Sequence, residues 1–136
     1  MGRTAVILLD THVLVWAAIE PKRLSRAADA ALRRAKVSDG LAIASVSLWE
    51  TASLFARRRV ESYLTVEASV RQVLETVGVI VKPLTVEIAV LATQFSEDYP
   101  RDPADRIIGA TARAEGMALV TQDEGIRGCP LLRTIW

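Results

Sequence analysis

The regular alternation of short apolar segments with longer helical ones constrains the fold of this chain more than any other feature. Strands are predicted over residues 5–10, 41–45, 79–82 and 118–121, with a last edge strand within 131–136. Apolar residues recur at helical spacing over residues 11–20, 26–36, 47–59, 66–77, 86–95 and 104–115. Strands separated by helices of this length pair in parallel. The sequence therefore predicts an α/β fold, a three-layer α/β/α sandwich with a central parallel sheet of four to five strands.

The predicted helices begin and end at residues suited to those positions. Ser25, Thr65 and Thr85 are predicted N-caps, because a hydroxyl can accept a hydrogen bond from the unpaired N–H groups of a first helical turn. Gly78 and Gly116 are predicted to end two helices, because glycine readily adopts the left-handed conformation found there. These residues set the boundaries between helices and strands.

The stretch RDPADR, residues 101–106, opens the last long helix. Asp102 fits the N-cap, Pro103 fits the first helical position, and the helix dipole favours the negative charge of Asp105 in the first turn. A helix start alone therefore explains all three residues. A role for Asp105 in a site needs support from elsewhere in the chain.

Composition indicates a folded protein with one core. The 136 residues are 51% hydrophobic and 24% charged, and residues 1–136 are expected to form a single domain. No apolar run approaches the roughly 18 residues of a membrane span, and the single cysteine supports neither disulfides nor a cysteine-based zinc site. The cytoplasm is the expected location. A net charge of +1 neither indicates nor excludes binding to nucleic acid.

Four of the 16 acidic residues differ from the rest by their position along the chain. Asp10 ends the first strand, and Asp123 comes two residues after the fourth. Glu50 and Asp105 lie near the starts of helices. In a parallel sheet with crossover helices, strand C-termini and helix N-termini share one edge, where α/β proteins place their ligand sites. We therefore expect these four side chains to lie close together.

Carboxylates gathered at one edge require a cation. Two of them about 4 Å apart repel by about 4 kcal/mol at an effective dielectric near 20. Oxygen ligands without cysteine or clustered histidine select Mg²⁺ or Mn²⁺, and such ions can activate water against a phosphodiester. The helix dipoles are expected to keep Glu50 and Asp105 ionised.

Each of these acids also has an ordinary structural explanation. Asp10 can cap the helix that begins near Thr11, and Asp123 can belong to a polar turn. Glu50 completes the sequence SLWE, a capping box in which Ser47 caps the helix and the glutamate reaches back to its N–H group. Only the expected joint placement of the four acids favours a site.

Four segments between about residues 5 and 127 resemble a known family. LLDTHVLVW, SLWE, RDPADRIIGATA and LVTQDEGI, in this order and spacing, are similar to those of the PIN-domain family, and in particular to the VapC-type toxin ribonucleases of bacterial type II toxin–antitoxin pairs. The resemblance implies an α/β/α fold and Mg²⁺- or Mn²⁺-dependent cleavage of single-stranded or loop RNA, leaving 5′-phosphate and 3′-hydroxyl ends. It also implies a homodimer and inhibition by a small VapB-type antitoxin.

Site residues are carried over from the resemblance position by position. The catalytic acids are Asp10, Glu50, Asp105 and Asp123. Asp10 and Asp105 are the foremost metal ligands, with Asp123 as a third. Thr11 and Thr121 fall at hydroxyl positions that can orient a carboxylate or a water molecule, and Asp102 is a supporting residue outside the usual four. RNA or antitoxin contacts are assigned to five arginines: Arg57, Arg58, Arg59, Arg101 and Arg106.

Several other residues have an ordinary explanation beside a functional one. His12 can be a surface or packing residue rather than a ligand. Arg57 to Arg59 can be a solvated helix end, and Arg101 and Arg106 can pair with neighbouring acids. Trp16 and Trp49 are expected to pack in the core or at a dimer face rather than to stack on bases. Gly109 inside a helix indicates a close approach by another element.

Two rival functions remain at the level of sequence. A non-catalytic PIN-like module that binds RNA or protein would be favoured by the loss of one of the four acids, and all four are present. A metal-dependent phosphatase of the haloacid dehalogenase type would need a second aspartate at the position of His12 and a lysine near the later acids, but no lysine follows Lys82. A ribonuclease using two histidines is excluded, because His12 is the only histidine.

Overall fold

The computed structural model describes residues 5–136, so residues 1–4 of the expected domain lie outside the described part. Its centre is a five-stranded sheet in which all strand pairs are parallel, in the order β3-β2-β1-β4-β5. The strands are β1 Ile7–Leu9, β2 Leu41–Ala44, β3 Val79–Lys82, β4 Ala118–Val120 and β5 Thr134–Ile135. The predicted parallel sheet is confirmed, and β5 is the predicted edge strand.

Seven α-helices of the described chain connect or flank these strands. They are α1 Thr11–Ile19, α2 Arg26–Lys36, α3 Val46–Ala56, α4 Val66–Val77, α5 Val86–Ala92, α6 Pro103–Glu115 and α7 Glu124–Arg127. A short 3₁₀ turn, Pro21–Arg23, follows α1. No helix within residues 5–136 has the length and apolar character that a membrane span requires.

The two faces of the sheet bury separate apolar clusters, which confirms the three-layer arrangement. Leu9 packs with α1 and α2 side chains such as Leu14 on one face. Leu8 points to the other face and packs with Ile88 of α5 and Ile108 of α6. Successive strand residues point to opposite faces, so a strand covered by helices on both sides is apolar throughout. None of the four candidate acids belongs to either cluster.

The predicted helix boundaries are confirmed at most ends. The side chains of Ser25, Thr65 and Thr85 each accept a hydrogen bond from the backbone N–H three residues later. Gly78 and Gly116 end α4 and α6 with φ of 77° and 66°. These caps could be predicted from the sequence because each one bonds to or ends its own helix and does not depend on other elements.

Two helices end three residues earlier than predicted. α5 ends at Ala92 instead of residue 95, and Phe95 packs in the core from the segment that follows. α3 ends at Ala56, where Arg58 adopts a left-handed conformation with φ of 55°. There the Arg59 N–H donates to Leu54 O at 2.9 Å and the Arg58 N–H donates to Phe55 O at 3.1 Å, a pair of bonds that closes a helix end.

Candidate active site

The four acids lie at the C-terminal edge of the sheet, as strand direction predicted. Asp10 directly follows β1 and is the N-cap of α1, whereas Asp123 follows the adjacent strand β4 and caps α7. Glu50 projects from α3 and Asp105 from the first turn of α6. All four line one cleft of about 510 Å³, the carboxylate cleft. Elements distant in sequence therefore bring these side chains together.

Thr121 and the start of α1 fix the carboxylate of Asp10. The Thr121 hydroxyl donates to Asp10 Oδ2 at 2.7 Å, and the Thr11 backbone N–H donates to Asp10 Oδ1 at 2.9 Å. Thr121 is fully buried, and its oxygen also accepts from the Asp123 N–H at 3.1 Å. One hydroxyl thus ties two of the four acids to each other. Asp10 caps α1 and lines the cleft at the same time.

Thr11 holds Glu50 through its side chain. Its hydroxyl donates to Glu50 Oε1 at 2.5 Å and lies 2.9 Å from the Ser47 hydroxyl. The capping-box explanation of SLWE is wrong: α3 begins at Val46, its N-cap is Ser45, and the buried Ser47 faces α1 instead. Glu50 is therefore held by a contact between two helices rather than by its own helix end.

Asp102 combines two roles that the sequence seemed to separate. Its Oδ1 accepts from the Ala104 N–H at 3.1 Å, so it caps α6 as predicted, with Pro103 at the first helical position. The same side chain lines the carboxylate cleft. Asp102 therefore adds its charge to the four acids while it starts the helix that carries Asp105.

Burial and mutual repulsion raise the pKa values of Asp10, Glu50 and Asp105. Desolvation is the main cause at Asp105, followed by the charges of Asp10 and Asp102, and the pKa reaches about 7. Desolvation also raises the pKa of Asp10 and of Glu50, although hydrogen bonds from Thr121 and Thr11 oppose it. Desolvation therefore opposes the effect expected of the helix dipoles, which favour the ionised forms of Glu50 and Asp105.

The donor set fits a hard divalent cation by chemistry and charge. The cleft offers carboxylate oxygens, and the ion pairs of the described chain, Arg33–Asp29, Arg71–Glu67 and Lys82–Glu115, all lie elsewhere. Carboxylates at such density suit Mg²⁺ or Mn²⁺. Within residues 5–136, however, no three His, Cys, Asp or Glu side chains are arranged to hold a metal ion as they stand. Binding would require the carboxylates to rotate towards a common point.

The arginines predicted to contact RNA or antitoxin separate into different environments. Arg106 donates to the carbonyls of Phe95, Ser96 and Tyr99 and forms no ion pair with an acid among the described residues. These bonds tie it to the segment after α5, and its contact with RNA or antitoxin stays a prediction. Arg101 is exposed.

The left-handed turn after α3 divides the remaining three arginines. Arg57 and Arg59 line a second cavity beside the carboxylate cleft, whereas Arg58 lines a separate one. The three side chains are exposed and lie beyond the helix rather than in its last turn. The sequence could not separate them, because the division depends on the φ of Arg58.

The aromatic residues show a further difference from expectation. Trp49 is 65% exposed, so a place in the core is wrong, and the dimer face that the sequence left as its alternative stays a prediction. Trp16 is half-buried beside His12, Trp136 and the Arg23 guanidinium. His12 is exposed and lines the carboxylate cleft next to Asp10.

Tyr99 is a supporting residue that sequence reasoning missed. Its hydroxyl donates to the backbone carbonyl of Asp105 at 2.7 Å, and its ring stacks on Phe95 with centroids 4.1 Å apart. A Cβ at Gly109 would lie 2.3 Å from the Tyr99 hydroxyl. The predicted close approach at Gly109 is therefore confirmed, and it comes from this aromatic pair. The glycine was the signal that could have led to Tyr99.

A parallel α/β/α fold with a carboxylate cluster at the strand ends defines the class to which the chain belongs. Residues 7–129 match the PIN domain. The chain is a member of the PIN-domain family.

Comparison with individual proteins narrows the class. Ribonuclease VapC22 from Mycobacterium tuberculosis is 38% identical over 132 residues, covering 96% of this chain and 98% of that protein. The VapBC2 structure from Rickettsia felis, bound to a DNA fragment from their promoter, is 16% identical with a TM-score of 0.72 and covers 95% and 96% of the two chains. The structure of M. tuberculosis VapC20, a sarcin-ricin loop cleaving toxin, is 20% identical with a TM-score of 0.60 and covers 93% and 98%. The structures share the fold, and the identity to VapC22 places this chain with the VapC-type toxin ribonucleases.

Proposed function

We propose that this protein is the toxin of a type II toxin–antitoxin pair and an Mg²⁺- or Mn²⁺-dependent endoribonuclease. In this proposal it hydrolyses RNA phosphodiesters through Asp10, Glu50, Asp105 and Asp123. The observation that carries the proposal is the carboxylate cleft, to which four separate elements contribute acids and which no lysine or arginine of residues 5–136 lines. The 38% identity to a ribonuclease over nearly the whole chain supports the same reaction.

The proposed roles of the acids follow from their contacts. Asp10, Asp105 and Asp123 would hold the metal, which when bound lowers the pKa of water and stabilises the departing oxygen. Thr121 and the Thr11 N–H keep Asp10 in one orientation. Thr11 bonds to Oε1 of Glu50, which leaves Oε2 to orient an attacking water and accept its proton. The raised pKa of Glu50 suits that task.

The proposed partners are RNA, a VapB-type antitoxin and a second copy of this chain. The Rickettsia felis relative is a VapBC complex, which supports an antitoxin of that type. The homodimer rests on the family resemblance, and measurement of mass in solution tests it. The single domain over residues 1–136 rests on chain length and composition and also belongs to the proposal.

Cleavage of total RNA by wild type and Asp10→Asn, with Mg²⁺ or with EDTA, tests the proposed function. Wild type should cleave with Mg²⁺ and leave 5′-phosphate ends, whereas EDTA or Asp10→Asn should abolish cleavage. Asp39→Asn is the matched control, because Asp39 is an exposed acid in the turn before β2. Equal cleavage by wild type and Asp10→Asn, or cleavage unaffected by EDTA, would contradict the mechanism.

A further inference from the structure

A second cavity of about 300 Å³ adjoins the carboxylate cleft, and we call it the Trp49 cavity. His12, Glu50 and Asp102 line both spaces, so the two lie side by side. Its volume lies at the lower end of the range for sites that hold small organic ligands, roughly 300–1,000 Å³. The cavity therefore has room for one nucleotide next to the acids.

Trp49 gives this cavity an open aromatic surface. The side chain is 65% exposed, and no ring contact within residues 5–136 covers it. The neighbouring helical residue Glu50 is fixed by Thr11, which also fixes the part of α3 that carries Trp49. An indole held at the mouth of a cavity is a surface on which any nucleobase can stack.

Arg57 and Arg59 line the same cavity as Trp49 and add positive charge to it. Their guanidinium groups make no hydrogen bond or ion pair with any described residue, so both remain free for a ligand. The left-handed Arg58 between them turns its own side chain to a different cavity. The helix end thus directs two of three consecutive arginines to one place, where they can pair with phosphate oxygens.

Carboxylates line both spaces, but only the Trp49 cavity also has guanidinium groups. Six carboxylates line the carboxylate cleft, those of Asp10, Glu50, Asp102, Asp105, Asp123 and Glu124, and no lysine or arginine of residues 5–136 lines it. Such a cleft repels a phosphate until a cation neutralises it. In the adjoining Trp49 cavity, Arg57 and Arg59 offset the charges of Glu50 and Asp102 and can hold the neighbouring phosphate of the same strand.

We propose that the Trp49 cavity binds the nucleotide next to the scissile phosphate of single-stranded RNA, with its base stacked on Trp49 and its phosphate paired with Arg57 and Arg59. The inference rests on the proposed ribonuclease function and adds the part of the substrate that the acids do not contact. A stacked base must be unpaired, so the cavity selects single strands and loops over duplex. Stacking accepts every base, so the cavity adds affinity rather than sequence preference.

Two measurements test this assignment. The first is the KM and kcat of Mg²⁺-dependent cleavage of an RNA that wild type cleaves. The second is the binding of fluorescent oligoadenylate in EDTA by anisotropy, which does not depend on cleavage. The matched controls are Tyr63→Ala and Arg34→Gln. Tyr63 is exposed and lines the other cavity, and Arg34 is an exposed arginine of α2 that lines neither the Trp49 cavity nor the carboxylate cleft.

Trp49→Ala should raise KM and weaken oligoadenylate binding about tenfold, with kcat changed less than twofold, and Trp49→Phe should restore most of the loss. Arg57→Gln and Arg59→Gln should each raise KM and reduce the salt dependence of binding by about one phosphate contact. Both control variants should match wild type.

The outcomes separate this inference from the proposed function. If wild type does not cleave but oligoadenylate binding depends on Trp49, the nucleotide site stands and the nuclease proposal fails. If wild type cleaves but Trp49→Ala and the two arginine variants match their controls in both measurements, the nucleotide site is wrong. The same conclusion holds if Trp49→Ala weakens only the complex with antitoxin, because the cavity would then be a peptide site.

Discussion

At the scale of single residues, the buried Thr121 links two acids of the proposed site. Its buried hydroxyl donates to Asp10, and its oxygen accepts from the N–H of Asp123. Groups that orient metal ligands typically change metal affinity 10- to 100-fold when removed. We therefore expect the Thr121 hydroxyl to affect metal affinity although it takes no direct part in the proposed hydrolysis.

Thr121→Val should weaken Mn²⁺ binding about 10- to 100-fold, because Asp10 loses the bond that fixes its orientation. Isothermal titration of the metal into the protein measures this directly. Thr111→Val is a matched control, since Thr111 is equally buried but donates only to the Ile107 carbonyl of its own helix. A similar loss in both variants would indicate a general packing defect instead.

The raised pKa of Asp105 predicts a stability that depends on pH in the metal-free protein. Its pKa is about 7 when folded against an ordinary value of 3.8, so the folded state holds the proton more tightly. Stability should therefore fall as pH rises from about 4 to 7 and stay low above that. Because Asp105 is partly exposed, we expect the free energy of unfolding to fall by roughly 1–2 kcal/mol, less than the full pKa shift would imply.

Urea unfolding in EDTA at pH 5 and pH 8 measures this loss, and Asp105→Asn should reduce it while abolishing cleavage. An Asp105→Asn variant with the same dependence on pH as wild type would show that the acid is not destabilised by its neighbours. Asp39→Asn again serves as the control, because Asp39 lies outside the carboxylate cleft.

Asp102 allows its two roles to be separated by choice of side chain. Asp102→Ala should cost about 1 kcal/mol of unfolding free energy through loss of the N-cap, whereas Asp102→Ser should keep the cap and remove only the charge. Both should retain much of the cleavage activity. If Asp102→Ser is folded but inactive, Asp102 belongs with the four acids.

At the scale of helices and strands, the sequence predicted what a single element can determine. Ser25, Thr65 and Thr85 were correct because an N-cap bonds within its own helix, and strand direction alone placed Asp10 and Asp123 together. The predictions that were wrong concern residues whose partners lie on other elements. Ser47 occupies the first position of a capping-box motif, but its hydroxyl contacts the hydroxyl of Thr11 from another helix.

The same reasoning explains why the sequence did not show the surroundings of Arg106 and Trp49. Nothing local distinguishes Arg106, which bonds to three carbonyls, from an arginine that faces the cleft. The helical period of α3 indicates an apolar position for Trp49, but it does not show that the neighbouring helices leave this face uncovered. Tertiary packing decides both cases.

The packing of α6 against the segment after α5 gives a prediction at this scale. Gly109→Ala should destabilise the protein by about 1–3 kcal/mol, because the new Cβ would lie 2.3 Å from the Tyr99 hydroxyl and 3.0 Å from Phe95. Displacing Tyr99 also removes its bond to the Asp105 carbonyl, so cleavage should fall as well. Thermal unfolding and activity measure the two effects.

Gly125→Ala is a milder comparison, since its new contacts, to Asp123 Oδ1 and Pro100, would both be 3.1 Å. Relief of the Gly109→Ala defect by Tyr99→Phe would confirm that the hydroxyl is the obstacle. No destabilisation in Gly109→Ala would mean that α6 and the aromatic pair separate easily.

At the scale of the whole molecule, the site and the core are separate. The two apolar clusters contain none of the four acids, and the cleft lies at one edge of the sheet. We therefore expect the fold to form without a metal ion, and a metal bound at the carboxylate cleft would add to the free energy of unfolding by mass action.

This separation predicts the effect of removing metal. EDTA should leave the far-ultraviolet circular dichroism spectrum unchanged at pH 7.5, whereas Mn²⁺ at 100 times its dissociation constant should add about 2.7 kcal/mol of unfolding free energy. The gain should shrink towards pH 5, because protons compete with the metal for carboxylates whose pKa values are raised. Asp10→Asn should lose most of the gain and Asp39→Asn none. Unfolding of wild type by EDTA alone would show that the cation is part of the fold, and an equal gain in Asp10→Asn would place the metal away from the carboxylate cleft.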